Sequence, residues 1–268
     1  MSAPASFFIP EADRFRATEW TRGPWSPDHQ HGGPPSALLA RSIERATLAH
    51  GPFQIARITV DLLRPIPISV FSIQTAVVRP GRRVITMTAA LVHDGKEVCR
   101  ALATCIRAGV VDLPAVGDRW PEHGAVPPPP ASGRPFEFPF FEQQVGYHKA
   151  VEIQVVDGTF GSGRLTAWMR SRLALVPGEP LSPVQRVMLF ADSGNGLSAA
   201  YDWKAFTFIN PDLTVHLHRL PESDWIGLSA STTAHDTGIG TAECALSDEK
   251  GPLGRSVQSL IVERRAGA

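Results

Sequence analysis

An acidic residue ends an apolar segment in the second half of the chain. In the stretch VMLFADSGNGLSAA, Asp192 follows Met188 by four residues and Val184 by eight, so it falls on the apolar side of a predicted helix. A carboxylate that leaves water is costly unless donors satisfy it, and a positioned carboxylate can take a proton from water. Asp192 either acts in this way or only ends the helix, because the following SGNG is a helix stop signal.

A glutamine in the last predicted strand is the second polar candidate. In GRSVQSLIVERR, strand alternation places Gln258 on the face of Leu260 and Val262, with apolar residues on the other face as well. The corresponding residue in the first half of the chain is Ala103, so the fold does not require an amide at this position. Gln258 is therefore either a satisfied core amide or a site residue.

Other motifs do not give a complete chemical site. His29 and His31 could supply two metal ligands, and His216 and His218 alternate along a predicted strand, but no third ligand follows at a fixed spacing. The segments GSGR and GNG are too short for nucleotide-binding loops. The absence of GxSxG argues against a serine esterase.

Composition excludes several classes of protein. Hydrophobic residues make up 43% of the 268 residues and charged residues 19%, which is typical of a folded domain. The 26 basic and 26 acidic residues cancel, so we expect neither nucleic-acid binding nor a charge-driven membrane surface. No signal peptide and no apolar run of about 20 residues is present. We therefore expect a soluble, cytoplasmic protein.

The three cysteines lie in apolar, strand-like stretches of the sequence. Cys99, Cys105 and Cys244 form neither a CxxC pair nor an even set for disulfides. We expect buried, reduced thiols.

The sequence repeats one arrangement of strands. Residues 56–67 and 70–107 contain strands that end at Arg-Pro-x-Pro and then flank turns at Gly81 and DGK. Residues 210–221 and 225–264 contain Arg-x-Pro, a turn at Gly238 and DEKG in the same order. The runs between the turns are rich in Val, Ile, Thr and Leu. This pattern indicates duplication of one α+β domain.

A predicted helix precedes each set of strands. The first covers residues 34–49 after His31-Gly32-Gly33, and the second begins at Ser182-Pro183. Residues 148–157 and 163–176 are two further predicted strands. Four prolines at 127–130 favour a surface linker. We expect an N-terminal repeat at 1–112, a linker at 113–140 and a C-terminal repeat at 141–268, each repeat having an antiparallel sheet wrapped around a central helix.

The order of these parts resembles the double hot-dog acyl-CoA thioesterases of the bacterial thioesterase II type. In that family the second repeat supplies an Asp on its helix, a Thr or Asn leading into the next strand, and a Gln in the last strand. The corresponding motifs here are LFADSGN, FINPDLTVHLHR and GRSVQSLIV. The resemblance implies that Asp192, Asn210 and Gln258 are the catalytic residues, with Asn210 at a position where Thr is usual.

The resemblance also implies a reaction. Asp192 would activate water for attack on a thioester, and Asn210 and Gln258 would orient that water. A backbone N–H of Gly32 or Gly33 is a candidate for holding the oxyanion, although a Gly pair there also suits close helix–sheet packing. The implied substrate is an acyl-CoA, and no cofactor or metal is needed. Exposed sheet edges favour a homo-oligomer.

Two alternatives remain open on the sequence. A hot-dog hydratase or dehydratase would carry a paired Asp and His on a loop before its helix, and no stretch of this sequence shows that pair. A non-catalytic acyl-thioester-binding protein would keep the polar trio as structural groups only.

Overall fold

The computed structural model describes residues 5–113 and 126–265. Fourteen strands and four helices, together with short 3₁₀ turns, make up these parts of the chain. The strands are β1 (Phe8–Glu11), β2 (Arg14–Ala17), β3 (Phe53–Asp61), β4 (Val70–Arg79), β5 (Val84–His93), β6 (Lys96–Arg107), β7 (Arg134–Pro135), β8 (Val151–Gly158), β9 (Arg164–Ser171), β10 (Phe206–Ile209), β11 (Asp212–Leu217), β12 (Ile226–Ala234), β13 (Ile239–Asp248) and β14 (Gly251–Arg264). The helices are α1 (Gly33–Thr47), α2 (Tyr147–Ala150), α3 (Pro183–Ala191) and α4 (Gly194–Leu197).

All the strands belong to one antiparallel sheet. Its order is β1-β2-β4-β5-β6-β3-β11-β14-β13-β12-β9-β8-β7, and β10 pairs with β14 beside β11. The two halves of the chain meet where β3 pairs with β11. The sheet therefore runs without a break from one half of the chain to the other.

The strand register shows the internal repeat residue by residue. Thr59 of β3 pairs with Thr214 of β11, at the centre of the sheet. On one side of this pair Met87 faces Ala103, and on the other side Ala242 faces Gln258. Thr59 also pairs with Leu102 of β6, and Thr214 pairs with Val257 of β14. Ala103 and Gln258 directly follow these partners, so they occupy equivalent positions, as the sequence predicted. An alanine at the equivalent position fits the same backbone, so the amide is not a requirement of the fold.

The two long helices pack against each other and against the sheet. α1 contacts β3, β4, β5 and β6, while α3 contacts β9, β11 and β12. The predicted start of α3 is confirmed, because the hydroxyl of Ser182 accepts a hydrogen bond from the Gln185 amide at 3.1 Å and Pro183 occupies the first turn. α1 begins with two prolines in its first turn and ends two residues before the predicted end, followed by a 3₁₀ turn.

The predicted strand at 148–157 is wrong at its beginning. Tyr147–Ala150 form one helical turn, and β8 starts at Val151. The side chain of Tyr147 is fully buried, and its hydroxyl donates to the carbonyl oxygen of Leu189 at 2.9 Å. This contact with a residue distant in the sequence holds the backbone in a helical turn. Strand propensity depends on neighbouring residues and therefore cannot predict it. The other predicted strand, 163–176, ends early, at Ser171.

The predicted linker at 113–140 falls partly on residues 114–125, which lie outside the described residues. Its later part does more than cross a surface. Arg134–Pro135 add the edge strand β7 to β8, where a proline is tolerated. The carbonyl oxygen of Pro128 accepts a hydrogen bond from the Trp168 indole at 2.7 Å, and Phe138 is buried. This segment therefore belongs to the folded structure of the second half.

The three cysteines are buried and free, as predicted. Burial is the main reason that the pKa of the Cys105 thiol rises to about 11 and that of Cys244 to about 12. These thiols are protonated and unreactive near neutral pH. No helix within residues 5–113 and 126–265 is long and apolar enough to cross a bilayer.

Candidate active site

Asp192 ends a helix, as one of the two interpretations expected, and its side chain is also buried. It is the C-terminal cap residue of α3, and its exposed fraction is only 5%. The residues after it form the short helix α4, so the chain turns inward instead of leaving for solvent. The end of α3 therefore places the Asp192 carboxylate inside the protein.

Two side-chain amides contact the same oxygen of this carboxylate. Nδ2 of Asn210 donates to Oδ1 of Asp192 at 2.8 Å, and Nε2 of Gln258 lies 3.3 Å from Oδ1. Asn210 and Gln258 are buried, with exposed fractions of 9% and 2%. The structure thus brings together all three residues that the family resemblance implied. It also places the amides directly on the carboxylate, whereas the sequence-based interpretation had them orienting water.

Backbone groups also bind the side chains of Gln258 and Asn210. Oε1 of Gln258 accepts the backbone amide of Asn195 at 3.2 Å, and Nδ2 of Asn210 also donates to the carbonyl of Asp212 at 3.2 Å. The close approach of α4 to β13 and β14 depends on Gly194, where a Cβ would lie 2.7 Å from Sγ of Cys244. The amide orientations are therefore fixed by the fold.

His31 is the group at this site that the sequence reasoning missed. Its Nδ1 lies 3.2 Å from Oδ2 of Asp192, the oxygen that the two amides leave free. The imidazole stacks on the ring of Tyr147, with ring centroids 3.9 Å apart and planes 7° apart. Burial lowers the pKa of His31 below 6.5, and the charge of Asp192 opposes this shift only in part. His31 is thus a neutral imidazole at pH 7.

A signal for His31 was present in the sequence. It directly precedes the glycine pair that opens α1, but the sequence interpretation weighed it only as a metal ligand. Its contact with Asp192 joins residues 161 positions apart along the chain, and no local pattern reports such a contact. Tyr147, which supports the imidazole, was placed just before a predicted strand and also went unnoticed.

The two candidate oxyanion glycines have different surroundings. Gly32 lines the cavity beside Asp192, and a Cβ there would lie 2.7 Å from Oδ2. The Gly33 amide donates to Nδ1 of His31 at 3.0 Å, and a Cβ at Gly33 would collide with the Leu189 carbonyl oxygen. Gly33 therefore serves close packing of α1 against α3, while the amide of Gly32 has no acceptor among the residues that the structure describes.

A cavity of about 890 Å³ opens beside the carboxylate. His31, Gly32, Asp192 and Asn210 line its inner part. A volume of this size accommodates a small-molecule ligand. Asp192 and Asn210 therefore face a partly open cavity, whereas Gln258 contacts Asp192 without lining it.

The two halves of the chain match the two domains of one enzyme family. Residues 21–106 match the acyl-CoA thioesterase N-terminal domain, and residues 121–262 match the acyl-CoA thioesterase C-terminal domain. The chain belongs to the acyl-CoA thioesterase family. No curated protein sequence matches it.

Solved structures agree with this membership at the level of the fold. Acyl-CoA thioesterase II TesB2 from Mycobacterium marinum has 16% sequence identity, 96% of each chain covered and a TM-score of 0.66. A conserved protein with a hot-dog fold from Alicyclobacillus acidocaldarius has 17% identity, covers 97% of this chain and 96% of its own, and gives a TM-score of 0.69. The CurJ dehydratase, with 15% identity, covers 86% of this chain and 82% of its own with a TM-score of 0.51. The fold of this thioesterase-family chain is therefore a hot-dog fold.

In this family member the cavity lining contains an aromatic cluster and several cationic residues. Phe138, Phe140 and Phe141 belong to the lining, and the Phe138 and Phe140 rings stack with centroids 5.1 Å apart. The cationic residues of the lining are Arg64, Lys204 and Arg265. The cavity thus offers an apolar surface and positive charge to the same ligand.

The structure does not bring the histidines weighed as metal ligands into a cluster. Within residues 5–113 and 126–265, no group of three His, Cys, Asp or Glu residues is placed to hold a metal ion. His216 is on β11 with its side chain exposed, and His218 follows that strand.

Proposed function

We propose that this protein hydrolyses an acyl-CoA thioester with water activated by Asp192. The observation that carries this proposal is the buried Asp192 carboxylate, which lines the cavity and has both side-chain amides on Oδ1 and neither on Oδ2. A carboxylate in this position can accept a proton from water that attacks the thioester carbon. Family membership supports a thioesterase reaction.

Asn210 and Gln258 act in this proposal as positioning residues. Both amides donate to Oδ1, which orients the carboxylate and stabilises its charge inside the protein. Water then binds at Oδ2, close to the thioester carbon. The fixed carboxylate supplies the near-attack geometry that makes the reaction effectively unimolecular.

The Gly32 amide is the donor we assign to the oxyanion. It lies at the start of α1, where unpaired backbone N–H groups and the helix dipole favour negative charge. Gly32 also lies next to Oδ2 of Asp192. Water bound at Oδ2 and the Gly32 amide can therefore both reach the carbonyl group of one bound thioester.

The aromatic and the cationic residues of the cavity lining suit the two parts of an acyl-CoA. The rings of Phe138, Phe140 and Phe141 offer apolar surface to the acyl group. Arg64, Lys204 and Arg265 offer positive charge to the CoA phosphates. The reaction uses neither metal nor cofactor in this proposal.

The same proposal includes the architecture. The repeated register around Thr59 and Thr214 supports two tandem hot-dog repeats, each with its own helix, α1 or α3. We place the first repeat at 1–112 and the second at 141–268, and residues 126–140 of the linker pack onto the second repeat. A homo-oligomer remains our expectation for the assembly.

One observation favours a second candidate function. A hot-dog hydratase or dehydratase needs a paired His and Asp, and His31 and Asp192 lie 3.2 Å apart although they are remote in sequence. Such an enzyme would add water to, or remove water from, an acyl thioester without breaking its C–S bond. The products therefore distinguish the two reactions, because only hydrolysis releases free CoA.

The test is thiol release from acyl-CoAs of several chain lengths, with mass analysis of the products. We expect free CoA and carboxylic acid from the wild type and a loss of at least 10²-fold in Asp192→Asn. Asp236→Asn, at an exposed site outside the cavity lining, is the matched control and should keep full activity. Binding without thiol release would favour the non-catalytic alternative. Conversion of a 2-enoyl-CoA to a product heavier by one water would favour the hydratase.

A further inference from the structure

The hydrogen bonds of His31 define which of its nitrogens carries the proton. The Gly33 backbone N–H points to Nδ1 at 3.0 Å, so Nδ1 is an acceptor. A neutral imidazole that accepts at Nδ1 has its hydrogen on Nε2. The Gly33 contact thus assigns the Nε2–H tautomer to His31.

The imidazole has a fixed orientation. It stacks on Tyr147, whose hydroxyl is anchored to the Leu189 carbonyl oxygen and to Oγ of Ser193, both at 2.9 Å. Nε2 has no hydrogen-bond partner among residues 5–113 and 126–265, and His31 lines the cavity. The Nε2–H group is thus the part of the ring available to a bound molecule.

The contact between Nδ1 and Oδ2 of Asp192 has a direct consequence. The two atoms lie 3.2 Å apart, so a proton on Oδ2 of Asp192 can pass directly to Nδ1 of His31. Because Nδ1 has a single lone pair, this transfer replaces its hydrogen bond from the Gly33 amide.

We propose that His31 is a further catalytic residue, which passes this proton on to the departing sulfur. The inference rests on the proposed hydrolysis. Water oxygen bonds to the thioester carbon, and one water proton moves to Oδ2 of Asp192 and then to Nδ1 of His31. As the C–S bond breaks, the Nε2 proton moves to the sulfur and CoA leaves as a thiol. The acid retains the second water proton, and the imidazole returns to its first tautomer by proton exchange with solvent.

The variant that tests this step is His31→Asn. The Oδ1 of Asn can occupy the place of Nδ1 and accept the Gly33 amide, but no group replaces Nε2–H. The substrates are an acyl-CoA and the S-phenyl thioester of the same acyl group. Thiophenolate is a much more stable anion than an alkyl thiolate and leaves without a proton.

We expect a selective loss of activity. His31→Asn should hydrolyse the acyl-CoA about 10²-fold more slowly than the wild type and the S-phenyl ester within about threefold of it. Asp192→Asn should lose both activities. Equal losses of the variant on the two esters, or no loss on either, would overturn the relay, because a residue that only supports Asp192 does not discriminate between leaving groups.

A second measurement does not depend on activity. In the ¹⁵N NMR spectrum of the wild type, His31 should show a protonated Nε2 and an unprotonated Nδ1 at pH 7. The opposite tautomer would contradict the relay. If the wild type releases thiol from neither ester, the hydrolysis itself fails, and this outcome is distinct from failure of His31 alone.

Discussion

The side-chain amide of Asn210 lies 2.8 Å from Oδ1 of Asp192 and is buried with it. Asn210 precedes β11 and Asp192 ends α3, so this contact joins the entrance of a strand to the end of a helix. A buried carboxylate is stable only when charge-assisted donors compensate its loss of hydration. Asn210 is therefore part of the reason that an acidic group can remain in this cavity.

Two substitutions of Asn210 should distinguish the loss of its hydrogen-bond donor to Asp192 from the replacement of that donor by a different one. In Asn210→Thr, the hydroxyl can still donate one hydrogen bond, and we expect kcat/KM within about tenfold of the wild type. Asn210→Ala leaves Oδ1 with Gln258 as its side-chain donor and should reduce kcat/KM by at least about tenfold, with a stability loss of about 1–3 kcal/mol. Thiol-release kinetics and urea unfolding measure both effects. Equal activity of the two variants would show that the donor at this position is dispensable.

Gln258→Glu should move the pH dependence of hydrolysis. Its new carboxyl group would lie about as close to Asp192 as the present amide does, 3.3 Å from Oδ1. Two carboxylates at this distance do not ionise together near neutrality, so the pair retains a proton to higher pH. We expect at least about tenfold lower activity at pH 7 and an acid limb displaced to higher pH in the pH–rate profile.

The matched control for that change is Gln258→Met. It has a similar shape, loses the donor and adds no charge. Its activity should fall without a displacement of the acid limb. A displacement of the same size in both variants would mean that charge repulsion is not the cause.

Gly32→Ala should impair the site without unfolding the protein. The backbone of Gly32 has φ −66° and ψ −21°, which alanine adopts easily, but its Cβ would lie 2.7 Å from Oδ2 of Asp192. The carboxylate must move, and we expect about a 10²-fold loss of kcat because a small misplacement disturbs the attack geometry. Gly109→Ala, where a Cβ meets no atom within 4 Å, should behave as the wild type. Full activity of Gly32→Ala would contradict the assigned geometry.

Asp248→Asn should reduce stability rather than activity. Asp248 is buried at the β13–β14 turn, where it pairs with Arg219 and accepts the Glu222 and Lys250 amides at 2.8 and 2.9 Å. Burial raises the pKa of Asp248, but these donors outweigh that effect and bring it to about 2. We expect a loss of about 3 kcal/mol at pH 7 in chemical unfolding.

The acid dependence of that loss follows from the sign of the shift. Because the folded pKa is lower than the ordinary 3.8, the contribution of Asp248 is complete well above pH 3.8 and disappears as the pH falls toward 2. The difference in stability between the wild type and Asp248→Asn should shrink over this range. A constant difference down to pH 2 would contradict an electrostatic origin, and Asp236→Asn, at an exposed site, should show no comparable loss.

The repeated strands and the α3 boundary could be read from the sequence because their determinants are local. Turn residues, strand alternation and the Ser182-Pro183 cap act within a few residues. The same alternation correctly placed Gln258 on the face of Leu260, and the structure shows that these two residues are buried, while Val257 and Ile261 on the other face are 41% and 45% exposed. The beginning of the strand predicted at 148–157 was wrong, because residues 147–150 form a helical turn whose Tyr147 side chain is anchored to Leu189 of α3.

The sequence by itself determined the types of the site residues and their order along the chain. It predicted a carboxylate at a helix end and two side-chain amides, one before a strand and one within a strand, in a chain with two similar halves. Only the tertiary structure decided that both amides meet the same carboxylate oxygen and that His31 faces the other. It also decided that Gly32, and not Gly33, lines the cavity. Local patterns arise from neighbouring residues, whereas these contacts depend on how α1, α3 and β14 pack, and their distances are fixed only when the whole sheet has formed.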